Sequence, residues 1–204
     1  MYKVDHIMIE SSNPKETVNA LVEKMNLPIA WDLIETENYK SMGINFGDIN
    51  FEFIDFKKRF GKENKSYKGF SGIAFRIDGE IEEALTTLQE QNLKYKIAEE
   101  TKNYTTITIE EDNVFPTMFL VKYHFDINPW HLKLKEDFKS CNGGKFKIDK
   151  FISINLDKQE KVLDKFENVK IKEKNSSIVF SSNDHKSEPI ILRELIENLE
   201  IVLL

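Results

Sequence analysis

The chain has 204 residues, of which 40% are hydrophobic and 31% are charged, and its formal net charge is -6 at pH 7. This composition is typical of a globular protein and excludes an intrinsically disordered chain. The acidic balance argues against nucleic acid as a partner, because nucleic-acid-binding surfaces are basic.

A single cysteine, Cys141, excludes an internal disulfide bond. We therefore expect a reducing, cytoplasmic location. No segment approaches the run of about 20 apolar residues that crosses a bilayer, and the first ten residues do not resemble a signal peptide. We expect neither membrane insertion nor secretion.

The first unit, residues 1–62, predicts the element order βαβββ. Residues 4–9 alternate as a strand, and Asn13 with Pro14 begins a helix. Four apolar residues then give that helix one buried face: Val18, Leu21, Val22 and Met25. Three predicted strands follow at 29–34, 40–46 and 50–56, with Gly47-Asp48 as the turn between the last two.

The same order restarts in the second unit, residues 68–126. Residues 70–77 predict a strand, and Asp78 is a candidate N-cap for the next helix. Helical spacing recurs at Ile81, Ala84, Leu85 and Leu88. Strands are predicted at 94–98, 105–110 and 117–125, with residues 111–113 as a turn.

Residues 127–146 contain Pro129 and the run Asn142-Gly143-Gly144, which predicts a connector rather than a core element. A partial third unit follows at 147–204. It has predicted strands at 148–154, 169–173 and 177–182, and a helix that begins at Asp157. Its tail fits either a strand or a helix, and we interpret it as a strand followed by a helix.

Two βαβββ units in one chain, opening with Val4 to Ile9 and Ser71 to Phe75, resemble the vicinal-oxygen-chelate superfamily of glyoxalases, bleomycin-resistance proteins and dioxygenases. The resemblance covers residues 1–126 and, more loosely, the remainder, which is similar to the glyoxalase-like branch. It implies an α+β fold of tandem βαβββ modules, with a partial third module.

In that superfamily, paired modules form a cup that holds a divalent metal through the first and last strands of each module. The resemblance places these positions on His6 and Glu52 in the first module, and on Gly72 and Phe119 in the second. Gly72 and Phe119 supply no donor atom, and Lys150 stands at the matching place in the third unit. The resemblance therefore implies no cofactor, or a weakly bound divalent metal on His6 and Glu52.

Besides the possible metal ligand His6, four residues are candidates for a site. Glu52, placed between two phenylalanines on a strand, is a candidate general base as well as a metal ligand. Arg76 is a candidate for binding an anionic group, although an ion pair with a surface acid also explains it. Phe119 is a candidate apolar wall, and His124 a candidate ligand contact.

The remaining titratable residues have simpler explanations. His6 itself also fits a half-buried histidine whose nitrogens are bonded to its neighbours. His131 and His185 lie in polar segments and are expected to face solvent, and Cys141 has no histidine near it in sequence.

Three functions remain open from the sequence. The first is a protein that binds a small organic molecule in the cup with a degenerate metal site. The second is a metal-dependent lyase, isomerase or dioxygenase, and the third is a protein-protein interaction module. Whether the chain forms a homodimer is left open.

Overall fold

The computed structural model describes residues 2–59, 62–63, 67–109, 117–156, 166, 168–171, 175–183 and 188–204. Within these ranges the chain forms an eight-stranded mixed sheet, a five-stranded mixed sheet, a short two-stranded ribbon and three α-helices. None of the described helices is both long enough and apolar enough to span a membrane. The predicted α+β fold of βαβββ modules is confirmed.

The first half of the large sheet follows the predicted order. It contains β1 (Lys3–Glu10), α1 (Pro14–Met25), β2 (Ile29–Glu35), β3 (Tyr39–Asn45) and β4 (Asn50–Phe56). The side chain of Asn13 caps α1 by accepting a hydrogen bond from the backbone N–H of Glu16 at 3.3 Å. The helix ends at Asn26, which adopts the left-handed conformation with φ of 52°.

The short ribbon of β5 (Lys58–Arg59) and β6 (Lys62–Glu63) leads to the second half. That half contains β7 (Gly69–Arg76), α2 (Ile81–Glu90), β8 (Tyr95–Glu100), β9 (Tyr104–Ile109) and β10 (Thr117–Tyr123). The prediction that Asp78 caps α2 is wrong. Glu80 is the N-cap residue and makes no side-chain cap bond, and the Asp78 carboxylate accepts a hydrogen bond from Arg76. The predicted turn at 111–113 lies outside the described residues.

The strand order of the large sheet is β2-β3-β4-β1-β7-β10-β9-β8. At its centre β1 and β7 run antiparallel, with Ile7 opposite Ile73. On the outer sides β4 is parallel to β1, and β10 is parallel to β7. The two halves are therefore related by an approximate twofold axis through the Ile7 and Ile73 pair.

The large sheet curls strongly. The phenol oxygens of Tyr39 on β3 and Tyr104 on β9 lie 3.2 Å apart. Five strand spacings separate β3 from β9, which is about 24 Å in a flat sheet. Because two tyrosine side chains cannot span that distance, the sheet must bend towards itself, and its concave face forms a cup.

Residues 127–146 contain more structure than the predicted connector. They form α3 (Asn128–Cys141) and a short 3-10 helix (Gly144–Phe146). Leu134 and Phe138 on α3 are buried, and Phe138 belongs to the hydrophobic core. Pro129 does not interrupt this helix because it lies in the first turn, where its missing N–H has no intrahelical partner.

The partial third unit forms the five-stranded sheet. Its strands are β11 (Ile148–Leu156), β12 (Val169–Ile171), β13 (Ser177–Ser182), β14 (Ile190–Ile196) and β15 (Leu199–Leu203). The predicted helix in the tail is wrong, because β14 and β15 form an antiparallel hairpin. Asn198 in the turn has φ of 61°, a conformation that asparagine tolerates. The helix predicted from Asp157 lies outside the described residues.

The small sheet repeats the centre of the large one. Its order is β12-β11-β13-β15-β14. Strands β11 and β13 are antiparallel, and each has a parallel outer neighbour, β12 and β15 respectively. This is the arrangement of β4, β1, β7 and β10. The third unit thus contains abbreviated counterparts of both halves of the large sheet.

The core lies between the convex face of the large sheet, its helices and the small sheet. Phe46 stacks on Phe51 with ring centroids 4.1 Å apart, and Phe180 of β13 lies 5.7 Å from Phe46. Phe75 of β7 stacks on Phe166 at 3.9 Å. These contacts fix the convex face against the core and leave the concave face for other roles.

Candidate functional site

Asp5 and His6 are neighbours on β1 whose side chains meet on the concave side of the sheet. Regular strand alternation would turn them to opposite faces. The pairing of β1 with β7 shifts register between Val4 and His6, and such a bulge re-aims a side chain. As a result Oδ2 of Asp5 lies 2.8 Å from Nδ1 of His6.

Glu52 reaches the other side of the same imidazole. Strand β4 lies next to β1, and Oε2 of Glu52 lies 3.4 Å from Nε2 of His6. Ser41 on β3 donates a hydrogen bond to Oε1 of Glu52 at 2.6 Å, and the indole N–H of Trp31 donates to Ser41 at 3.2 Å. His6 is therefore held between two carboxylates. This agrees with the alternative interpretation from the sequence, a histidine whose ring nitrogens are bonded to neighbouring side chains.

Tyr123 on β10 completes the cluster. Its phenol donates a hydrogen bond to Oδ2 of Asp5 at 2.9 Å. The second carboxylate oxygen of Asp5, Oδ1, is buried and has no hydrogen-bond partner among the described residues. We call Asp5, His6, Ser41, Glu52 and Tyr123 the polar cluster.

The polar cluster fixes the charge of His6. Burial by itself would lower the pKa of His6, but the hydrogen bonds and negative charges of Asp5 and Glu52 outweigh it and raise that pKa from 6.5 to about 10. Burial would raise the pKa of Asp5 and of Glu52, but the His6 cation keeps both below their usual values. Burial and the Asp5 charge raise the pKa of Tyr123. At neutral pH the cluster holds an imidazolium, two carboxylates and a neutral phenol.

Aromatic rings surround the polar cluster. The Phe119 ring lies 5.5 Å from the His6 ring, and the Trp31 ring lies 6.2 Å from it. Trp31 covers Gly43 so closely that a Cβ on that glycine would come within 2.3 Å of the indole. The sheet backbone can carry this tryptophan only because position 43 has no side chain.

The first turn of α3 closes one end of the cup. Trp130 donates its indole N–H to the backbone oxygen of Ala30 at 3.2 Å, and its ring lies 6.3 Å from that of Trp31. The neighbouring His131 lies 3.2 Å from a guanidinium nitrogen of Arg76. We call Trp31, Phe119 and Trp130 the aromatic walls.

The strand register confirms which positions correspond between the two halves. Glu52 pairs with Met8, and Phe119 pairs with Ala74. Met8 directly follows Ile7, and Ala74 directly follows Ile73, the two isoleucines that pair at the centre of the sheet. Phe119 is therefore the counterpart of Glu52. By the same relation Gly72 is the counterpart of His6.

These residues do not fit the divalent metal that the resemblance implies. Of the four positions that the resemblance assigns, only His6 and Glu52 carry donor atoms, and Nδ1 of His6 already bonds to Asp5. Gly72 and Phe119 add no donor, and no group of three potential ligands with suitable geometry occurs in the described part of the chain. Catalytic metal sites generally use about three protein ligands.

The structure brings together three of the five predicted site residues: His6, Glu52 and Phe119. Arg76 lies on β7 at the closed end of the cup, where its Nε is 2.7 Å from Oδ1 of Asp78. His124 is not part of the cluster. Its Nε2 lies 2.9 Å from the hydroxyl of Thr105, and Thr105 is on the face of β9 that carries the buried Ile107.

Sequence reasoning missed several residues of the site. Asp5 was not identified because alternation places it on the opposite face from His6. The expectation for His131 is wrong, because this residue lies on α3 and contacts Arg76. Tyr123, Trp31 and Ser41 gave no local signal, although a buried tryptophan or tyrosine needs a hydrogen-bond partner. His185 lies outside the described residues.

Two small cavities lie away from the polar cluster. The larger, about 190 Å³, opens near Glu10, Ser12, Lys68 and Glu197, and the smaller, about 50 Å³, shares Glu10 and Lys68. Glu10 is four residues after His6 on β1, about 13 Å along the strand. The polar cluster is the stronger candidate site, because its charged groups are held by defined hydrogen bonds and faced by aromatic rings.

Comparison with solved structures identifies similar folds over nearly the whole chain. A hypothetical protein from Staphylococcus aureus has a TM-score of 0.62 and 12% identity, covering 100% of this chain and 98% of that one. Homoprotocatechuate 2,3-dioxygenase from Arthrobacter globiformis has a TM-score of 0.57 and 10% identity, covering 98% of this chain and 79% of that one. An extradiol ring-cleaving dioxygenase from B. fuscum also has a TM-score of 0.57, with 9% identity, covering 98% and 70% respectively.

Neither a protein-family model nor a curated protein matches the sequence. At identities this low, the structural similarity establishes the fold alone.

Proposed function

The chain has the vicinal-oxygen-chelate fold, and from that premise we propose that it binds a small organic molecule on the concave face of the large sheet without a metal ion. The observation that carries the proposal is the bonding of His6. Both of its ring nitrogens face carboxylates, of Asp5 and of Glu52, so each nitrogen already has a partner within the protein.

The surroundings of the polar cluster support an organic ligand. Phe119 stands at the position that corresponds to Glu52, and Trp31 and Trp130 lie beside it. Aromatic side chains with a few polar groups among them are typical of small-molecule sites. A ligand that carries an aromatic or other flat apolar group fits these walls.

The polar cluster remains partly accessible. The side chains of His6 and Glu52 are 12% and 16% exposed, and the three aromatic walls are half-buried. Because those rings occupy much of the concave face, a ligand enters by displacing one of them. We propose Trp130 for this movement, since it lies on α3 rather than in the sheet.

Tryptophan fluorescence tests this proposal directly. The chain has two tryptophans, and both are aromatic walls, so the whole tryptophan signal reports on the cup. Titration with a panel of small aromatic compounds should change the emission of the wild type. The change should be reduced in Phe119→Ala, a variant that leaves both reporters in place. A flat signal across the panel would contradict the proposal.

Metal content separates this function from the metal-dependent lyase, isomerase or dioxygenase activity. Elemental analysis of purified wild type and His6→Ala, each titrated with divalent metals, should show no stoichiometric metal in either protein. Stoichiometric metal that is present in the wild type and lost in His6→Ala would instead support the metal-dependent enzyme.

A further inference from the structure

We infer that the ligand presents a hydrogen-bond donor, specifically a cationic amine, to the carboxylates of Glu52 and Asp5. This inference rests on the proposed function, because it specifies the chemical class of the molecule that occupies the cup. It differs from the sequence-based prediction that Arg76 binds an anionic group, and the test below distinguishes the two.

The donors of the polar cluster are already used inside it. Both ring nitrogens of His6 face carboxylates, of Asp5 and of Glu52. Tyr123 gives its single proton to Asp5, and Ser41 gives its proton to Glu52. Outside the cluster, the indole N–H groups of Trp31 and Trp130 bond to Ser41 and to the Ala30 backbone. A ligand that only accepts hydrogen bonds therefore meets no free donor among these groups.

The carboxylate oxygens of Asp5 and Glu52, by contrast, can still accept hydrogen bonds. Oδ1 of Asp5 has no partner among the described residues, and the Asp5 side chain is only 2% exposed. A carboxylate has about four lone-pair sites, and Glu52 accepts one hydrogen bond from Ser41 and pairs with His6. Glu52 is also the most exposed charged group of the cluster, at 16%. The polar surface that a ligand meets is thus carboxylate oxygen.

The charges of the polar cluster also favour a cationic ligand over an anionic one. The polar cluster contains two carboxylates, of Asp5 and Glu52, and only one basic group, His6, so its acidic groups are in excess. At the closed end of the cup the Arg76 charge is opposed by Asp78. Burial, as the largest cause, lowers the pKa of His131, so this ring is neutral at pH 7. Among the described basic side chains at the cup, His6, Arg76 and His131, none therefore carries a positive charge without an opposing carboxylate.

The aromatic walls reinforce this preference. The faces of Trp and Phe rings attract cations, and ammonium groups are commonly bound by such rings. Trp31 and Phe119 both lie within 6.2 Å of the His6 ring, measured between ring centroids. An ammonium group that bonds to Glu52 is thereby placed beside these two rings.

Three probes that share one phenylethyl group test the inference. 2-Phenylethylamine carries a cationic donor, 2-phenylethanol a neutral donor, and 3-phenylpropionate an anion that only accepts. Titrated into the full chain at pH 7 and followed by tryptophan fluorescence, the amine should bind most tightly and the carboxylate most weakly. A charge-assisted hydrogen bond should separate the amine from the carboxylate by about tenfold or more in Kd.

A charge-removing variant identifies the group that selects the amine. Glu52→Gln keeps the shape of the side chain and removes its charge, so it should weaken amine binding by about tenfold and change alcohol binding much less. Circular dichroism checks that the variant is folded, and the wild-type ranking of the three probes stands independently of it. Equal loss for amine and alcohol would overturn the assignment to Glu52.

The outcomes separate the two proposals. If the carboxylate binds as tightly as the amine, and Arg76→Ala abolishes that binding, the cup binds organic molecules but the inferred amine preference is wrong. If none of the three probes binds, the proposed function fails and the inference fails with it.

Discussion

Tyr123 donates its phenol proton to Oδ2 of Asp5 across 2.9 Å, although 118 residues separate them in sequence. The bond connects β10 to β1, two strands that are not neighbours in the sheet. Together with the His6 contact it holds the buried Asp5 carboxylate in place.

Tyr123→Phe should therefore destabilise the protein. The substitution keeps the ring and removes one donor from a buried carboxylate, which costs about 1 to 3 kcal/mol. Urea unfolding measures the loss. Tyr95→Phe is the matched control, because the Tyr95 hydroxyl accepts only an exposed bond from Gln89, and its loss should change the free energy of unfolding by less than about 0.5 kcal/mol. Equal effects in the two variants would contradict the buried role of Tyr123.

His6 should make stability depend on pH above neutrality. Its pKa is raised from 6.5 to about 10 in the folded chain, so its contribution is fully present below pH 6.5 and is lost as pH rises through 10. In that window the free energy of unfolding should fall by up to about 1.4 kcal/mol per pH unit. Urea unfolding between pH 6 and pH 10 measures the slope.

His6→Gln supplies the comparison for this pH dependence. It removes the titrating group, so the fall in stability from pH 6.5 to 10 should disappear in the variant. At acid pH the free energy of unfolding should change in the opposite direction with pH. Asp5 and Glu52 have lowered pKa values in the folded chain. The stability that they contribute is present above their unfolded pKa values near 4 and is lost as pH falls. A wild-type slope that persists in His6→Gln would show that another group causes it.

Residue periodicity predicted much of the fold, and the resemblance to the superfamily predicted part of the site. Alternating strands and helical spacing placed β1, α1, β3 and β4 correctly. The resemblance assigned Phe119 to the position in the second half that corresponds to Glu52 in the first, and the observed strand register agrees. The strands and helices could be predicted because they depend on local residue patterns, which are present in the sequence itself.

The missed features depend on distant contacts or on departures from regular geometry. A bulge before His6 turns Asp5 into the cup, and alternation cannot predict a bulge. The tail from Pro189 had helical spacing, yet Asn198 allows a tight turn and β15 pairs with β13. Tertiary pairing therefore overrode the local pattern, as it commonly does for short apolar segments.

Position 72 should not tolerate a side chain, although the corresponding position in the first half carries His6. A Cβ there would lie 2.6 Å from Cε of Met8 and 3.0 Å from the backbone oxygen of Thr117. Gly72→Ala should therefore cost about 1 to 3 kcal/mol through overpacking. Shortening the neighbour in the double variant Gly72→Ala, Met8→Ala should recover about 1 kcal/mol relative to the sum of the single variants. Strict additivity in urea unfolding would show that Met8 is not the obstacle.

Gly69 should be required for the contact between the two sheets. It has φ of 102°, and a Cβ would lie 2.3 Å from the backbone oxygen of Glu197. The same oxygen accepts a hydrogen bond from the backbone N–H of Phe70 at 3.0 Å, so it cannot move away without breaking that bond. Gly69→Ala should destabilise the protein by about 2 to 4 kcal/mol, because it combines backbone strain with a clash against backbone.

Gly79→Ala provides the control for this substitution. Gly79 is exposed, and the atom nearest to its added Cβ is a carboxylate oxygen of Glu83, at 2.9 Å. That oxygen lies at the end of a flexible side chain and can move at little cost, so the free energy of unfolding should change by less than about 0.5 kcal/mol. Urea unfolding of both variants, with limited proteolysis to detect loosening of the C-terminal sheet, measures the difference. A tolerated Gly69→Ala would mean that Glu197 is not held against β7, and that the small sheet packs on the large one through its phenylalanine contacts alone.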